Sequence, residues 1–465
     1  MFKENPILFA DSYKYSQPSQ YKRNVNYMFD YLESRGGYYP VTVVKGLQYL
    51  IKRYLLQQIT AEDVEEAREL LTKHGEPFEY EGWMKVVNEY NGFIPVRIKA
   101  VKEGSVIPVK NVLVTIESTD PELFWLVGWT ETLLMKLWYS TTVATKSYFV
   151  RLMLEGFAEK YSDNKDGVAF QFHNFGDRGA TTVEAAAVGG MAHLTQFMGT
   201  DNTNSIKYAR HFYNEDMAGF SIPASEHSTV TSWGKECEFD MIDTYLENNK
   251  GKFIIACVLD SYDIYNATKV VTSGEFKRKI ESDEYPTLVM RPDSGDAVEV
   301  VKAMLQICID NDVACNINSK KLKVMKKYRI IYGDGITPSV IADILNEGVN
   351  MGFAPDNFAF GSGGDLMQNV NRDTNKFAIK CSAVTNTEGE MIEVFKDPIT
   401  DPGKKSKKGI LDLFYNKETK QFLTLDNKQE VPKGFESILE VVYENGVLLK
   451  DYKFSEIRAN SRGEI

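Results

Sequence analysis

Apolar and polar positions follow two regimes along this 465-residue chain, and the change of regime divides it. Near the start Val25, Tyr27, Phe29 and Tyr31 alternate with their neighbours in VNYMFDYL, and ESRGG closes the run, which predicts a strand and a turn. Two helices follow. In the second, Thr60 precedes AEDVEEARELLTKH, acids fill the first turn and Gly75 stands at the end, so capping chemistry marks both boundaries. Ile94 to Ser118 reads as short strands broken by Gly104 and Pro108, and DPELFWLVGWTETLLMKLWY as a capped apolar helix. Residues 1–150 therefore predict a mixed α+β region.

From residue 151 to 379 the pattern changes. Apolar runs of about five residues end in Asp or Gly turns and lead into helical periodicity: FIIACVLDSYDIYNATK, TLVMRPDSGDAVEVVKAMLQI, YRIIYGDGITPSVIADIL and NFAFGSGGDLMQNV. Strands that are apolar throughout, each joined to a helix, belong to a parallel sheet covered on both faces. An irregular α/β barrel fits best, with a doubly wound open sheet as the alternative; in a barrel the DSYD, RPDSG, GDG and GSGG turns surround one ligand. Residues 380–465 return to strands, including a hairpin at Asn445-Gly446, and are expected to rejoin the first region. The fold class is thus α/β: a barrel domain plus a mixed α+β domain assembled from both ends of the chain.

Composition narrows the options. A net charge of −11 disfavours sequence-independent binding to nucleic acid or an anionic membrane, so any phosphate site must be a local basic pocket. The five cysteines include no C-x-x-C pair, which points to a reducing, cytoplasmic setting without a disulfide framework or a zinc site. The N-terminal residues lack a long apolar segment, and the greasiest stretch, Leu123 to Val143, is interrupted by Glu131 and Lys136, so a buried helix rather than a membrane span is expected.

Candidate chemistry clusters at the turns. His227, in PASEHSTV, precedes a helix expected to begin at Ser228 or Thr229, where an imidazole can meet a phosphate or serve as a hydrogen-bonded structural residue. The GDG of Gly333 to Gly335 and the GSGG of Gly361 to Gly364 can cradle a phosphate or simply turn the chain. Asp260, Asp263, Asp293 and Asp334 fall at strand ends, suited to Mg²⁺, to ribose hydroxyls or to helix capping. Arg178, Arg291 and Arg372 can clamp phosphate or pair with carboxylates, and the lysines of GKKSKKG can meet a polyphosphate or water. Phe175, in FHNFGDRG, is either a stacking face or a core ring.

Taken in order, ADSYK, GLQYL, TDPE, TVAT, FGDRG, GTD, PASEHST, SYDIYNA, RPDSG, GDG, AFGSGG, RD, FKDP and SKKG resemble the nicotinamide phosphoribosyltransferases, a type II phosphoribosyltransferase family, over nearly the whole chain. The resemblance implies transfer from phosphoribosyl pyrophosphate to nicotinamide, giving nicotinamide mononucleotide and pyrophosphate in NAD salvage. It also implies Mg²⁺ brought by substrate phosphates, ATP as co-substrate through a phosphohistidine at His227, and a homodimer with active sites at the subunit interface. By matching position, Asp293 and Asp263 join His227 as catalytic groups, and Phe175, Asp201, Arg291 and a second copy's Tyr13 hold the base. Arg178, Asp293, Gly333, Asp334, Gly363 and Gly364 hold ribose and phosphate, while Arg35, Arg372, Lys380, Lys396 and Lys404 contact pyrophosphate or ATP. Asp201 can accept from a carboxamide N–H and would repel a carboxylate, which disfavours the alternative of a nicotinate phosphoribosyltransferase. A silent nucleotide-binding relative is the other alternative, and it would be expected to lose His227, RPDSG or GSGG. Three positions depart from the family pattern: Leu259 replaces a serine near the amide, Asn174 an Asp, and Asp365 a third glycine after GSGG.

Overall fold

A computed structural model describes residues 3–400 and 405–463 of the chain. It forms two compact units, one of Met1–Thr145, Ala209–Glu215 and Asn371–Ile465, the other of Lys146–Tyr208 and Asp216–Val370. In chain order the strands used below are β1 (Val25–Ser34), β2 (Val96–Ala100), β3 (Val112–Ser118), β4 (Phe172–Asn174), β5 (Gly199–Thr200), β6 (Ile254–Val258), β7 (Thr287–Arg291), β8 (Tyr328–Tyr332), β9 (Phe358–Ser362), β10 (Phe377–Asn386), β11 (Met391–Glu393), β12 (Glu440–Glu444) and β13 (Val447–Leu448). The helices are α1 (Ala61–His74), α2 (Leu126–Met135), α3 (Leu137–Tyr161), α4 (His227–Thr231), α5 (Ile264–Val271), α6 (Ala297–Asp310), α7 (Pro338–Asn350) and α8 (Gly364–Met367).

In the first unit one antiparallel sheet runs β11-β10-β1-β3-β2-β12-β13. The C-terminal strands therefore flank the N-terminal ones on both sides. Thr60 caps α1 through the Asp63 N–H, and Gly75 ends it at φ 97°, a backbone conformation that glycine adopts without strain. The apolar segment after Asp120 departs from expectation. Asp120 accepts from the Glu122 and Leu123 N–H groups, from Tyr90 and from Lys85, so it fixes a turn, and α2 starts only at Leu126.

The second unit holds a parallel six-stranded sheet, β5-β4-β9-β8-β7-β6, buried along its centre. Helices α5, α6 and α7 follow β6, β7 and β8, the strand–helix alternation that demands parallel pairing. The sheet curls, and residues 220–225 link its two edge strands: Phe220 N–H donates to Met198 O (2.7 Å), Thr200 N–H to Phe220 O (3.0 Å), Ala256 N–H to Pro223 O (2.9 Å) and Ser225 N–H to Ala256 O (3.0 Å). Both edges thereby gain partners for groups that would otherwise be left unpaired. Among the described residues no helix is long and apolar enough to cross a membrane, and all five cysteines are free thiols.

The first sheet carries one electrostatic strain. Asp30 on β1 is 3% exposed, and its Oδ1 has no hydrogen-bond partner. Burial, and then the negative Glu131, push its carboxyl up to about 7, with partial relief from Lys14. The folded chain holds this proton above the unfolded value of 3.8, so stability falls as pH rises from that value through 7. Asp30→Asn is accordingly expected to raise the melting temperature more at pH 8 than at pH 5, as calorimetry at the two pH values would register.

Candidate active site

Because its strands are parallel, the second unit delivers the turns after their C-terminal ends to one side of the sheet. Phe175 to Arg178 follow β4, Asp201 follows β5, Asp260 follows β6, Asp293 follows β7, Gly333 and Asp334 follow β8, and Gly363 and Gly364 follow β9. Two cavities open among them. One, of about 650 Å³, is lined by Phe175, Arg178, Asp201, His227, Arg291 and Asp293 together with the 224–228 segment and Asp177. The other, of about 520 Å³, shares Phe175, Arg178, Arg291 and Asp293 and adds the GDG and GSGG turns.

His227 reaches its cavity because residues 220–225 are tied into the sheet just before it. It is the first residue of α4, one or two positions before the expected start at Ser228 or Thr229, since Glu226 occupies the cap and its N–H donates to Thr229 Oγ1 at 3.2 Å. A helix of five residues supplies little dipole. The partner of the imidazole is instead a carboxylate: Nε2 lies 2.9 Å from Asp260 Oδ1, with the histidine side chain 46% exposed and the aspartate 4%. A carboxylate acceptor fixes the proton on Nε2 and leaves the Nδ1 lone pair available. The other oxygen of Asp260 accepts from Ser294 Oγ (2.6 Å) and from the Asp293 N–H (3.0 Å). Burial alone would raise this carboxyl, but the hydrogen bonds from Ser294, His227 and Asp293 outweigh it and hold Asp260 below the ordinary value.

Phe175 lies across the floor of the cavities. A Cβ at Gly361 would sit 2.0 Å from the ring, so only glycine at that position leaves room for it. The Arg291 guanidinium lies 5.3 Å from the ring centroid, and its Nη2 is 3.1 Å from both Asp293 oxygens while Nε has no hydrogen-bond partner. Tyr332 donates to the carbonyls of Ser294 and Gly295, both at 3.0 Å, and steadies the RPDSG turn. Asn174 is fully buried; its Oδ1 accepts from Gly176 N–H at 2.8 Å, which holds the turn that carries Phe175 and Arg178. Asp201 donates its N–H to Asn174 O (3.0 Å), and its carboxylate accepts from Ser221 Oγ at 2.8 Å. Leu259 is wholly buried and lines neither cavity.

Asp263 has a different placement. Its Oδ1 accepts from Tyr265 and Asn266 N–H at 3.0 Å, capping α5, and it lines neither cavity; the carboxylate against His227 is Asp260, to which the sequence assigned no catalytic role. Its position two residues beyond an apolar strand was the available signal. Ser221 carried none, and Ser294 was visible only as part of RPDSG.

Tyr13, Arg35, Arg372, Lys380 and Lys396 belong to the first unit. There Tyr13 is 54% exposed, and Lys380 pairs across the sheet with Tyr31, near Arg35, which follows β1. Burial lowers the Lys380 ammonium below its usual value, and the Arg35 and Lys14 charges add to the effect. Arg35 Nη2 is buried without a hydrogen-bond partner, Arg372 is exposed beside Asp373, and Lys396 is exposed. Lys404 lies outside the described residues.

Residues 170–443 match the nicotinate phosphoribosyltransferase (NAPRTase) family, and residues 5–98 match the nicotinamide phosphoribosyltransferase N-terminal domain. The chain belongs to the nicotinate phosphoribosyltransferase family. It is 43% identical over 464 residues to a nicotinamide phosphoribosyltransferase of Xanthomonas campestris pv. campestris, covering 99% of this chain and 98% of the relative. Its fold is similar to a nicotinate-nucleotide pyrophosphorylase from Pyrococcus furiosus (TM-score 0.64, 15% identity, 100% and 97% of the two chains covered). The human nicotinic acid phosphoribosyltransferase is also similar (TM-score 0.55, 14% identity, 98% and 93% covered). As a family member the chain is a phosphoribosyltransferase, a pentosyl-transferring enzyme.

The geometry around Phe175 makes a direct prediction. Gly361→Ala should push the ring out of the cavity and lower phosphoribosyltransferase turnover on the order of a hundredfold, with little change in melting temperature. Steady-state kinetics beside a thermal melt would check it.

Proposed function

We propose that this phosphoribosyltransferase joins nicotinamide to phosphoribosyl pyrophosphate, forming nicotinamide mononucleotide and pyrophosphate in NAD salvage, and that ATP hydrolysis through a phosphohistidine at His227 assists the reaction. The observation that carries this reading is the His227–Asp260 pair on the wall of a cavity that also holds Phe175, Asp201, Arg291 and Asp293. A flat neutral ring stacks on Phe175, with Arg291 close to the same ring and Tyr13 of a second copy supplying the opposite face in a homodimer. Asp201, held through one oxygen by Ser221, offers the other to a carboxamide N–H. The same charge repels nicotinate, which sets the preference between the two bases.

In the transfer the pyridine nitrogen forms a bond to C1 of the ribose as the bond from C1 to the pyrophosphate oxygen breaks. Positive charge grows on the sugar, which Asp293 faces, and negative charge on the leaving pyrophosphate, while Arg178 and the Gly363-Gly364 turn hold the phosphate that stays on the ribose. By their place in the family pattern, Arg35, Arg372, Lys380, Lys396 and Lys404 are assigned to pyrophosphate or ATP, some of them across the subunit interface. Among the described residues no group of three His, Cys, Asp or Glu side chains is arranged to hold a metal ion. Mg²⁺ would arrive on the substrate phosphates, where Asp334 at the cavity wall would serve as one carboxylate ligand and the ion would offset charge on the leaving group. In the ATP half-reaction His227 Nδ1 attacks the terminal phosphorus and ADP leaves, while Asp260 holds the Nε2 proton and balances the imidazolium.

Quantifying mononucleotide by chromatography, with nicotinamide or nicotinate and with or without ATP, tests the assignment. Wild type is expected to use nicotinamide and to gain from ATP. Product from nicotinate alone would sink the base assignment. His227→Ala should abolish the gain from ATP. Asp201→Ser should reduce the nicotinamide-to-nicotinate ratio of kcat/KM on the order of a hundredfold or more, and an unchanged ratio would remove Asp201 from base selection.

A further inference from the structure

Asp365 stands immediately after GSGG and lines the cavity between the two glycine turns, so it brings a negative charge to a wall suited to anions. Its carboxylate is fully engaged. From α3, Lys146 Nζ donates to the Asp365 carbonyl oxygen at 2.5 Å and lies 2.7 Å from Oδ2, and Asn369 Nδ2 donates to Oδ1 at 3.1 Å. The two charged side chains are only 8% and 15% exposed. An ion pair this far out of water persists only with good geometry, and removing one partner leaves an uncompensated charge.

We propose that Lys146 and Asp365 are a positioning pair: the ammonium fixes the backbone just beyond GSGG and cancels the carboxylate, so that the turn can receive the phosphate of a phosphoribosyl group. This rests on the phosphoribosyl-transfer assignment. The charge balance supports it, since the cavity is lined by Asp293, Asp334 and Asp365 against Arg178 and Arg291. Three acids facing two bases would repel a phosphate dianion. Lys146, behind the wall, restores neutrality at the point nearest Gly364 without occupying the cavity. The loop is held from its other side as well, because Asn369 N–H and Gln368 N–H both donate to Gly364 O, at 2.8 and 2.9 Å.

Calorimetric binding of nicotinamide mononucleotide and of inorganic phosphate to full-length wild type, Lys146→Met, Asp365→Asn and the double variant separates charge cancellation from simple scaffolding. Lys146→Met is expected to weaken both ligands on the order of tenfold, whereas Asp365→Asn, which unmasks the cation, should bind as well as wild type or more tightly. The double variant should recover to within about threefold of wild type, and the loss in Lys146→Met should shrink in high salt. Equal weakening in both single variants, or no change in either, overturns the pair while leaving the transferase assignment intact. Wild type binding neither ligand overturns both. If Lys146→Met fails to fold, Asp365→Asn decides alone: weakened binding contradicts the proposal.

Discussion

A buried carboxylate must find hydrogen bonds or lose its charge, and at Asp260 that requirement organises the site. One oxygen faces His227 Nε2, and the other accepts from Ser294 Oγ and the Asp293 N–H. Three separate chain segments, the turn after β6, the RPDSG turn after β7 and the start of α4, are therefore fixed by one side chain. Removing it would free the imidazole to choose either tautomer and would leave the RPDSG turn held only from its other side, by Tyr332. The closing segment of residues 220–225 is the complement of this constraint, since its backbone bonds to both sheet edges bring His227 within reach of Asp260.

The remaining chemistry is placed by absence of bulk as much as by functional groups. Gly361 yields the space that the Phe175 ring fills, and Gly333 lets the same ring and Asp293 approach, a Cβ there falling 3.3 and 3.1 Å from them. Charge is then distributed in pairs. Arg291 with Asp293 and Lys146 with Asp365 each set a base against an acid around cavities that carry Arg178 as a further cation. Such pairing keeps a strongly polar pocket from destabilising the fold before a ligand arrives.

Much of this was legible in the sequence where a local rule has a local cause. The continuous apolar runs at Ile254, Thr287, Tyr328 and Phe358 announced parallel strands, and Thr60 with Gly75 bounded α1, because burial on both faces and helix capping leave marks within a few residues. The Asn445-Gly446 turn, with φ of 48° and 87°, was likewise written in its residues. What escaped depends on distant contacts. Nothing in DSYD distinguishes Asp260, which meets His227, from Asp263, which caps α5. The link through residues 220–225 has no periodicity to detect. Lys146 and Asp365 stand 219 positions apart, the first just beyond the apolar stretch that ends at Val143 and the second a departure from a glycine motif.

On the proposed assignment, one end of the parallel sheet gathers a stacking ring, a phosphate cradle and a histidine–aspartate pair around a single nucleotide. A crystal structure of the wild-type protein with nicotinamide mononucleotide tests it most directly. The pyridine ring is expected against Phe175 with its amide at Asp201, the phosphate at Arg178 and the Gly363-Gly364 turn, and His227 still bonded to Asp260. A mononucleotide bound away from Phe175, or with its phosphate outside the GSGG turn, would contradict it.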